Sequence, residues 1–570
     1  MVGTYAAVLA VCGASLAIGQ AALALCGVRR WSWLSPAVGL ALLCAACWAT
    51  VRLPGDGVLS AVAVLLLASL SVAFLWGRLE NGGGVLLLGV PVALVALLAT
   101  ALPFIAEGHF GILGTSFNPD MSQHLLATDR LAHGDSSQLL NQGYPLGPHA
   151  IVVALNKGLG IGIVQGFTGL AIAVAVIASL AALAAFREQP PWLAVPAALV
   201  LGLTYMVASY FAQGSFKETM QALFFLAFVL VLREASRNAE WRELPLRLVP
   251  AALLAAGSVY TYSFPGLIWL GAAFIAWAVL ERSLPLRPAL FGLGVFAALV
   301  APEIGRMIDF HSFETFDPNG PGLGNLFGQV SPFEGLGIWP SGDFRLSPGE
   351  GAVPALGYYA GAAFATILLA YGLVLCWRRG ERALIAGLTA AALAYAAARL
   401  GGTPYTAAKA IEVGAPLAVL VILLPLLRRP VAWLYLAAAA GCSLLALANA
   451  PVGPSSYSPA LTGLRDDVGE GPTLVLASRK LLAAEHGAPY ISWELRGGRV
   501  CIETAGEASG SPPPGVRFVV TEASGSQPPF ANLRRVRVAP PYTLWERPGA
   551  HGESPCPLVA VRQARQGAPR

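Results

Sequence analysis

The sequence predicts an all-α polytopic membrane protein of about 14 transmembrane helices with a small C-terminal extracytoplasmic α/β domain. Three observations predict it. Of 570 residues, 56% are hydrophobic and 12% charged, half the charged share of an ordinary soluble chain, which is roughly 25%. Mean hydropathy is +0.65. Apolar runs recur along residues 1–449, and the remaining 450–570 turn polar with short β-patterned stretches. The net charge of +5 is spread thinly, without a basic block, which excludes nucleic acid as a partner.

A membrane-spanning helix needs about 20 mostly apolar residues. Runs at 4–26, 33–51, 57–76, 84–103, 162–186, 191–212, 219–232, 248–261, 264–280, 288–304, 355–376, 383–399, 411–427 and 430–449 meet or approach that length. The first lacks a basic flank before it and is followed by Arg29 and Arg30, so it reads as a retained span rather than a cleaved signal. Ser263-Phe264-Pro265-Gly266 leaves two readings open, a connection between two spans or a break within one, because Pro and Gly interrupt membrane helices routinely.

Orientation follows from Lys and Arg in the loops. Fifteen of the 36 sit in one alternating set of short loops, among them Arg30, Arg78, Arg187, Arg233, Arg382 and Arg429; the opposite side holds eight before residue 450. The richer set is assigned to the cytoplasm. That leaves outside the loops 104–160 and 305–354, together with the tail 450–570, and all seven histidines fall in these three segments. In the tail, Thr473–Ala477, Arg499–Thr504, Val516–Thr521, Arg535–Ala539 and Tyr542–Trp545 read as strands, Arg479–His486 as a short helix and Ser509–Pro514 as a loop. Six cysteines lie in apolar runs as small core residues; Cys501 and Cys556, in the tail, are able to form a disulfide if it faces an oxidising compartment.

The first outward loop carries Asp120, then Met121, Leu125, Leu126 and Leu131 at helical spacing, with His124 one turn after Asp120. Such a helix lies at the membrane interface. Asp120 has two compatible readings: the N-cap of this helix, or a carboxylate that works with His124 as an acid/base pair. Asp129 either pairs with Arg130 or contributes to binding. A Gly143-Tyr-Pro-Leu-Gly-Pro-His149 turn then returns the chain to the membrane, with His149 as an interfacial anchor or a substrate ligand.

Three further clusters stand on the same side. Lys217 and Glu218 open a span, where they form an interfacial ion pair or place Lys217 against a phosphate. Lys409 and Glu412, at i and i+3, either neutralise each other or leave Lys409 to hold a phosphate jointly with Lys217. The loop 303–345 brings Glu303, Arg306, Asp309, His311, Glu314, Asp317, Trp339, Asp343 and Arg345 together with many glycines; it reads as a sugar-binding lid or as a surface loop anchored by Trp339. Arg306 either binds phosphate or snorkels to the interface.

An acidic residue in an outward loop, a juxtamembrane helix and the Tyr-Pro-Leu-Gly-Pro-His turn resemble the GT-C superfamily of polytopic membrane glycosyltransferases, which use polyprenyl-phosphate sugars. The motif is short, and here it follows the fourth apolar run rather than the first, as in many members. The resemblance implies Asp120 as catalytic base, a polyprenyl-phosphate sugar donor, a glycan or lipid acceptor and membrane lipids as partners. On that reading Asp120 and His124 carry the chemistry, and Asp129, His149, Lys217, Glu218, Arg306, Trp339 and Lys409 bind substrate. A divalent metal stays open, since Asp120, His124 and Asp129 offer donor atoms without forming a recognisable ligand set. A transporter or lipid-linked-sugar flippase is the alternative.

Overall fold

The computed structural model describes residues 1–28, 30–55, 57–78, 83–115, 120–134, 138–282, 285–311, 322–351, 353–456, 458–469, 471–478, 488–496, 499–504, 513–522 and 530–550. Glu314, Asp317, Arg29, Cys556, the Arg479–His486 helix and most of Ser509–Pro514 lie outside them. The chain divides into two compact units: residues 1–118 with 142–452, and residues 119–141 with 453–570.

The first unit is helical. In chain order its helices are α1 (Val2–Leu25), α2 (Ser35–Val51), α3 (Val58–Leu75) and α4 (Gly83–Ala106). With α5 and α6 reserved for the second unit, α7 (Gly147–Leu159), α8 (Ile163–Phe186), α9 (Pro191–Gly202), α10 (Tyr205–Ala212), α11 (Phe216–Arg237), α12 (Ala239–Glu243) and α13 (Val249–Tyr262) follow. Next come α14 (Gly266–Glu281), α15 (Leu286–Val300), α16 (Ile304–Phe310), α17 (Ala355–Arg378), α18 (Arg382–Gly401), α19 (Pro404–Leu426) and α20 (Pro430–Ala448).

Among the described residues, ten helices are long and apolar enough to cross a membrane, or eleven if the bent pair α9–α10 is one span. This is a multi-pass membrane protein. All fourteen predicted runs are helical, but length and composition carry the count of spans to eleven, because α2, α13 and α14 are shorter apolar helices. The predicted 191–212 span bends by 49° between α9 and α10, where Leu203 and Thr204 leave the helical conformation. At Ser263–Pro265 the chain forms a break between two helices, with Ser263 at φ 60°.

Burial sorts the spans. α8 is apolar all round and wholly buried, and α11 and α19 are nearly so, as expected of helices surrounded by other helices. α3, α15 and α17 are mostly exposed. Their bare leucines and isoleucines, such as Leu65, Leu66, Leu70, Leu290 and Ile367, suit hydrocarbon, where an apolar surface costs nothing. One end of the unit is tied by arginines from the loops assigned to the cytoplasm. Arg233 holds Glu381 through two hydrogen bonds of 2.8 and 2.9 Å, Arg237 joins the same carboxylate, Arg187 pairs with Glu234 and Arg382 with Glu281. The loop residues 322–345 are packed rather than lid-like: Leu326, Leu336, Ile338, Trp339 and Phe344 are buried, and Tyr435 donates to the Leu336 carbonyl at 2.7 Å.

The second unit joins α5 (Met121–Ala132) and α6 (Gln138–Asn141) to the tail, whose elements are α21 (Pro459–Val468), α22 (Ala488–Glu494) and a five-stranded sheet. Its strands are β1 (Thr473–Ala477), β2 (Val500–Thr504), β3 (Phe518–Glu522), β4 (Arg534–Ala539) and β5 (Tyr542–Glu546), each within two residues of its expected bounds. The sheet order is β2-β1-β3-β5-β4, parallel across β2-β1-β3 and antiparallel from there on. One face buries Val475, Ala477, Phe518, Val520 and Leu544 against α21 and α22; the other packs Leu474, Leu476, Val519, Phe530 and Trp545. Cys501 is disulfide-bonded, and the six cysteines of the apolar runs are free.

Candidate active site

In the helical unit, a band of charge crosses the end opposite the arginine ties. It starts where Pro302 interrupts the α15–α16 span with a 3-10 turn, Ala301–Glu303, because proline cannot supply the helical N–H. Glu303 is buried. It accepts from Trp48 Nε1 at 2.8 Å and from Arg52 Nη2 at 3.1 Å, and pairs with Arg306 Nε at 3.5 Å. Both guanidiniums also lie over the Trp48 ring, 4.7 and 4.6 Å from its centroid. Two arginines share one buried carboxylate, and Asp309, one turn after Arg306, lies within electrostatic reach of its guanidinium.

Arg306 then donates to the Tyr144 carbonyl at 2.7 Å. The turn is held there by its glycines. Gly143 has φ +68°, and a Cβ on it would stand 2.2 Å from the Arg306 carbonyl oxygen; a Cβ on Gly147 would meet the Tyr260 carbonyl oxygen at 2.7 Å. Between the turn, α2, α13 and the 3-10 turn lies a small crevice, part of it open to solvent. Trp48, Gly143, Pro145, Tyr260, Glu303 and Arg306 line it. Tyr144 continues the band, with its ring beneath Lys217 Nζ at 3.8 Å.

Glu218, next to Lys217, pairs with Lys409 Nζ at 2.9 Å, joining α11 to α19. The close ion pair thus joins two helices, while Lys217 and Glu412, the partners expected locally, stay within electrostatic reach of it. Sequence neighbours on α11 and i, i+3 residues on α19 are close, but the buried interface of these two helices excludes water and rewards the partner across it. Lys409 also lies 4.2 Å from the Tyr405 ring centroid. Glu412 is fully buried, and neither of its carboxylate oxygens has a hydrogen-bond partner among the described residues.

Two predicted ligands are interior residues. His149 is enclosed by Tyr144, Phe167 and Phe216, with ring centroids 6.4, 5.4 and 5.7 Å away. Burial pushes its imidazole down to about 3, and its ring contacts join the turn to the start of α11. Trp339 is buried edge-on against Tyr358, 5.1 Å between centroids, and offers no open face to a sugar in this conformation. Conversely, Trp48, Arg52 and Tyr144 belong to the band and were not singled out as ligands. The available signal was their position at the outer ends of helices.

In the second unit, Asp120 stands at the N-cap position of α5. It is exposed and makes no side-chain cap hydrogen bond. The His124 amide bonds to the Asp120 carbonyl at 3.3 Å, which places His124 one turn along on the same side. Asp129 is buried; its Oδ1 lies 3.9 Å from His133 Nδ1 and 4.0 Å from Arg496 Nε. Its Oδ2 has no hydrogen-bond partner among the described residues. Burial pushes the Asp129 carboxyl up, against the pull of His133, Arg496, Arg130 and Arg465.

A raised carboxyl pKa means that the folded protein holds this proton more tightly than the unfolded chain. Its stabilising contribution is complete below the unfolded value, near 4, and is lost as pH rises through the folded one. Asp129→Asn is therefore expected to unfold at the wild-type temperature or higher at pH 7, with the two curves converging in acid. Thermal unfolding across pH checks this. No group of three His, Cys, Asp or Glu side chains among the described residues is arranged to hold a metal ion.

The fold and this band define a multi-pass helical membrane protein with its polar chemistry gathered at one end of the helical unit. No protein-family model matches the chain, and no curated protein matches it. Among solved structures, it is similar to ArnT from Cupriavidus metallidurans in the apo state, at 14% identity, covering 82% of this chain and 98% of that one, with a TM-score of 0.46. A likeness at this level leaves any assignment of chemistry to the side chains.

Proposed function

We propose that the chain is a membrane glycosyltransferase of the GT-C type. It transfers a sugar from a polyprenyl-phosphate donor to a glycan or lipid acceptor of the cell envelope, on the extracytoplasmic face. The observation that carries the reading is the band Arg52–Glu303–Arg306–Tyr144–Lys217. It places Arg306 at a crevice near one end of the helical unit, with Arg52 and Lys217 in the same band. A departing polyprenyl phosphate develops negative charge that preorganised cations stabilise. Arg306 and Arg52 suit that role better than Lys409, which Glu218 already neutralises.

The acceptor hydroxyl must lose its proton as the glycosidic bond forms. On this reading Asp120, exposed and not used as a cap, is the base, with His124 beside it. The outward placement is supported by the arginine-tied opposite end, which suits the cytoplasm. Glu412 is the observation that favours the alternative, a lipid-linked-sugar flippase, because a buried intramembrane carboxylate often marks a translocation path.

The test is the purified full chain in detergent, offered a panel of polyprenyl-phosphate sugars with envelope acceptors and read by mass spectrometry. Transfer by wild type supports the reading. Movement of labelled lipid across proteoliposomes without transfer would replace it with the alternative. Arg306→Gln is expected to raise the donor KM by roughly 10- to 100-fold, since a hydrogen bond to a charged group contributes about 1.5–3 kcal/mol.

A further inference from the structure

The helix that carries Asp120 does not group with the spans that precede and follow it. Residues 119–141 form one compact unit with 453–570. α5 packs against α22, whose Tyr490, Ile491 and Trp493 are buried. On its own side α5 buries Leu125, Leu126 and Leu131. Among the polar residues that α5 also buries, Ser122, Thr128, Asp129 and Arg130, Asp129 is the carboxylate. It is buried with one oxygen unpartnered, and its other oxygen faces Arg496, the residue just past the C-terminus of α22.

Arg496 is fixed independently of Asp129. Its guanidinium lies over the Trp493 ring, 3.8 Å from the centroid, and donates to the Trp493 carbonyl at 3.0 Å. Arg465 of α21 bonds to the Glu494 carbonyl at 2.9 Å, so the end of α22 is tied to the body of the domain. A buried carboxylate that is not fully paired adds little stability. What it supplies is a defined position, because the Asp129 carboxylate meets Arg496 of the C-terminal domain only in one register, while His133, one turn on in the same segment, moves with it.

We propose that the C-terminal domain is the positioning element for α5, and that Arg496, acting through Asp129, fixes the rotation and register at which Asp120 is presented. Asp120 lies nine residues before Asp129 on the same helix, about 13 Å along its axis, so a register slip at the joint displaces Asp120 equally. Arg496 is a positioning residue, and its effect on transfer rests on the reading of Asp120 as the base. A displacement on the order of 1 Å can lower a rate roughly 100-fold.

The test uses the full chain in detergent, with hydrogen exchange followed by mass spectrometry on peptides from α5 and, as internal control, from β1, β3 and β5. In Arg496→Gln, exchange in α5 is expected to rise by roughly tenfold or more with the strands unchanged. Arg496→Lys should restore most of the protection, whereas the double variant Asp129→Asn/Arg496→Gln, which removes the stranded charge but also the contact, should not; full protection in the double variant overturns the joint. In the transfer assay, Arg496→Gln should lower kcat with the donor KM unchanged. Unchanged α5 exchange in Arg496→Gln overturns the joint, as does equal loosening of α5 and the strands. If α5 loosens as expected but wild type transfers no sugar, the joint stands and the reading of Asp120 as a glycosyltransferase base falls.

Discussion

Asp120→Asn is expected to lower glycosyl transfer by roughly 10²- to 10⁴-fold, the range general-base catalysis contributes, with the donor KM and the unfolding temperature unchanged. The substitution keeps the size of the side chain and removes its charge. Asp120 is exposed and makes no side-chain cap hydrogen bond; a lost cap would cost about 1 kcal/mol and would show in thermal unfolding. A kcat/KM ratio within a few-fold of wild type would remove Asp120 from the chemistry. Half-buried His124, one turn on, gives a second readout: His124→Gln is expected to change the pH profile of kcat rather than abolish activity.

Lys409→Met is expected to produce the largest loss of stability, about 3–5 kcal/mol, because removing one partner of a buried pair strands the other charge. Glu218 would remain buried without its 2.9 Å partner, beside Glu412, which lies within electrostatic reach of the same pair. Glu218→Gln in the same chain should recover most of the loss, since apolar and neutral replacements of a whole buried pair are often tolerated. Thermal unfolding in detergent of the two single variants and the double variant forms a cycle. Additive losses would show that the α11–α19 contact does not depend on this pair.

The tail strands and α5 were legible because their signals are local. Alternation marks β1 to β5 within two residues, and Leu125, Leu126 and Leu131 at helical spacing delimit α5 at Met121–Ala132. Which residues meet was not legible. Periodicity tells which face of a helix is buried, not which neighbour covers it. Glu218 was read against Lys217, and Lys409 against Glu412, when the contact that forms is Glu218 with Lys409 across two helices. The Arg52–Glu303–Arg306 cluster joins residues some 250 positions apart, a relation no short motif expresses. Trp339 reads as a sugar platform because loops are usually exposed, but 322–345 buries Trp339 and Phe344 and exposes Phe327 and Phe333 instead. Fourteen apolar runs did not become fourteen full-length spans, because composition cannot separate a short buried helix from a crossing one.

The division of the chain into two units sets an order of events during synthesis. α5 emerges early, yet the rest of its unit begins only at Gly453, after the 311 residues from Gln142 to Val452. At about 5–20 residues per second, translation of that stretch takes roughly 15 to 60 s. Throughout this interval the segment bearing Asp120 and Asp129 lacks α22, which later packs against it, while the spans on either side of it are already being inserted. Completion of the charged helix therefore coincides with arrival of the tail, and a nascent chain halted before residue 453 would hold its membrane helices without a finished Asp120 segment.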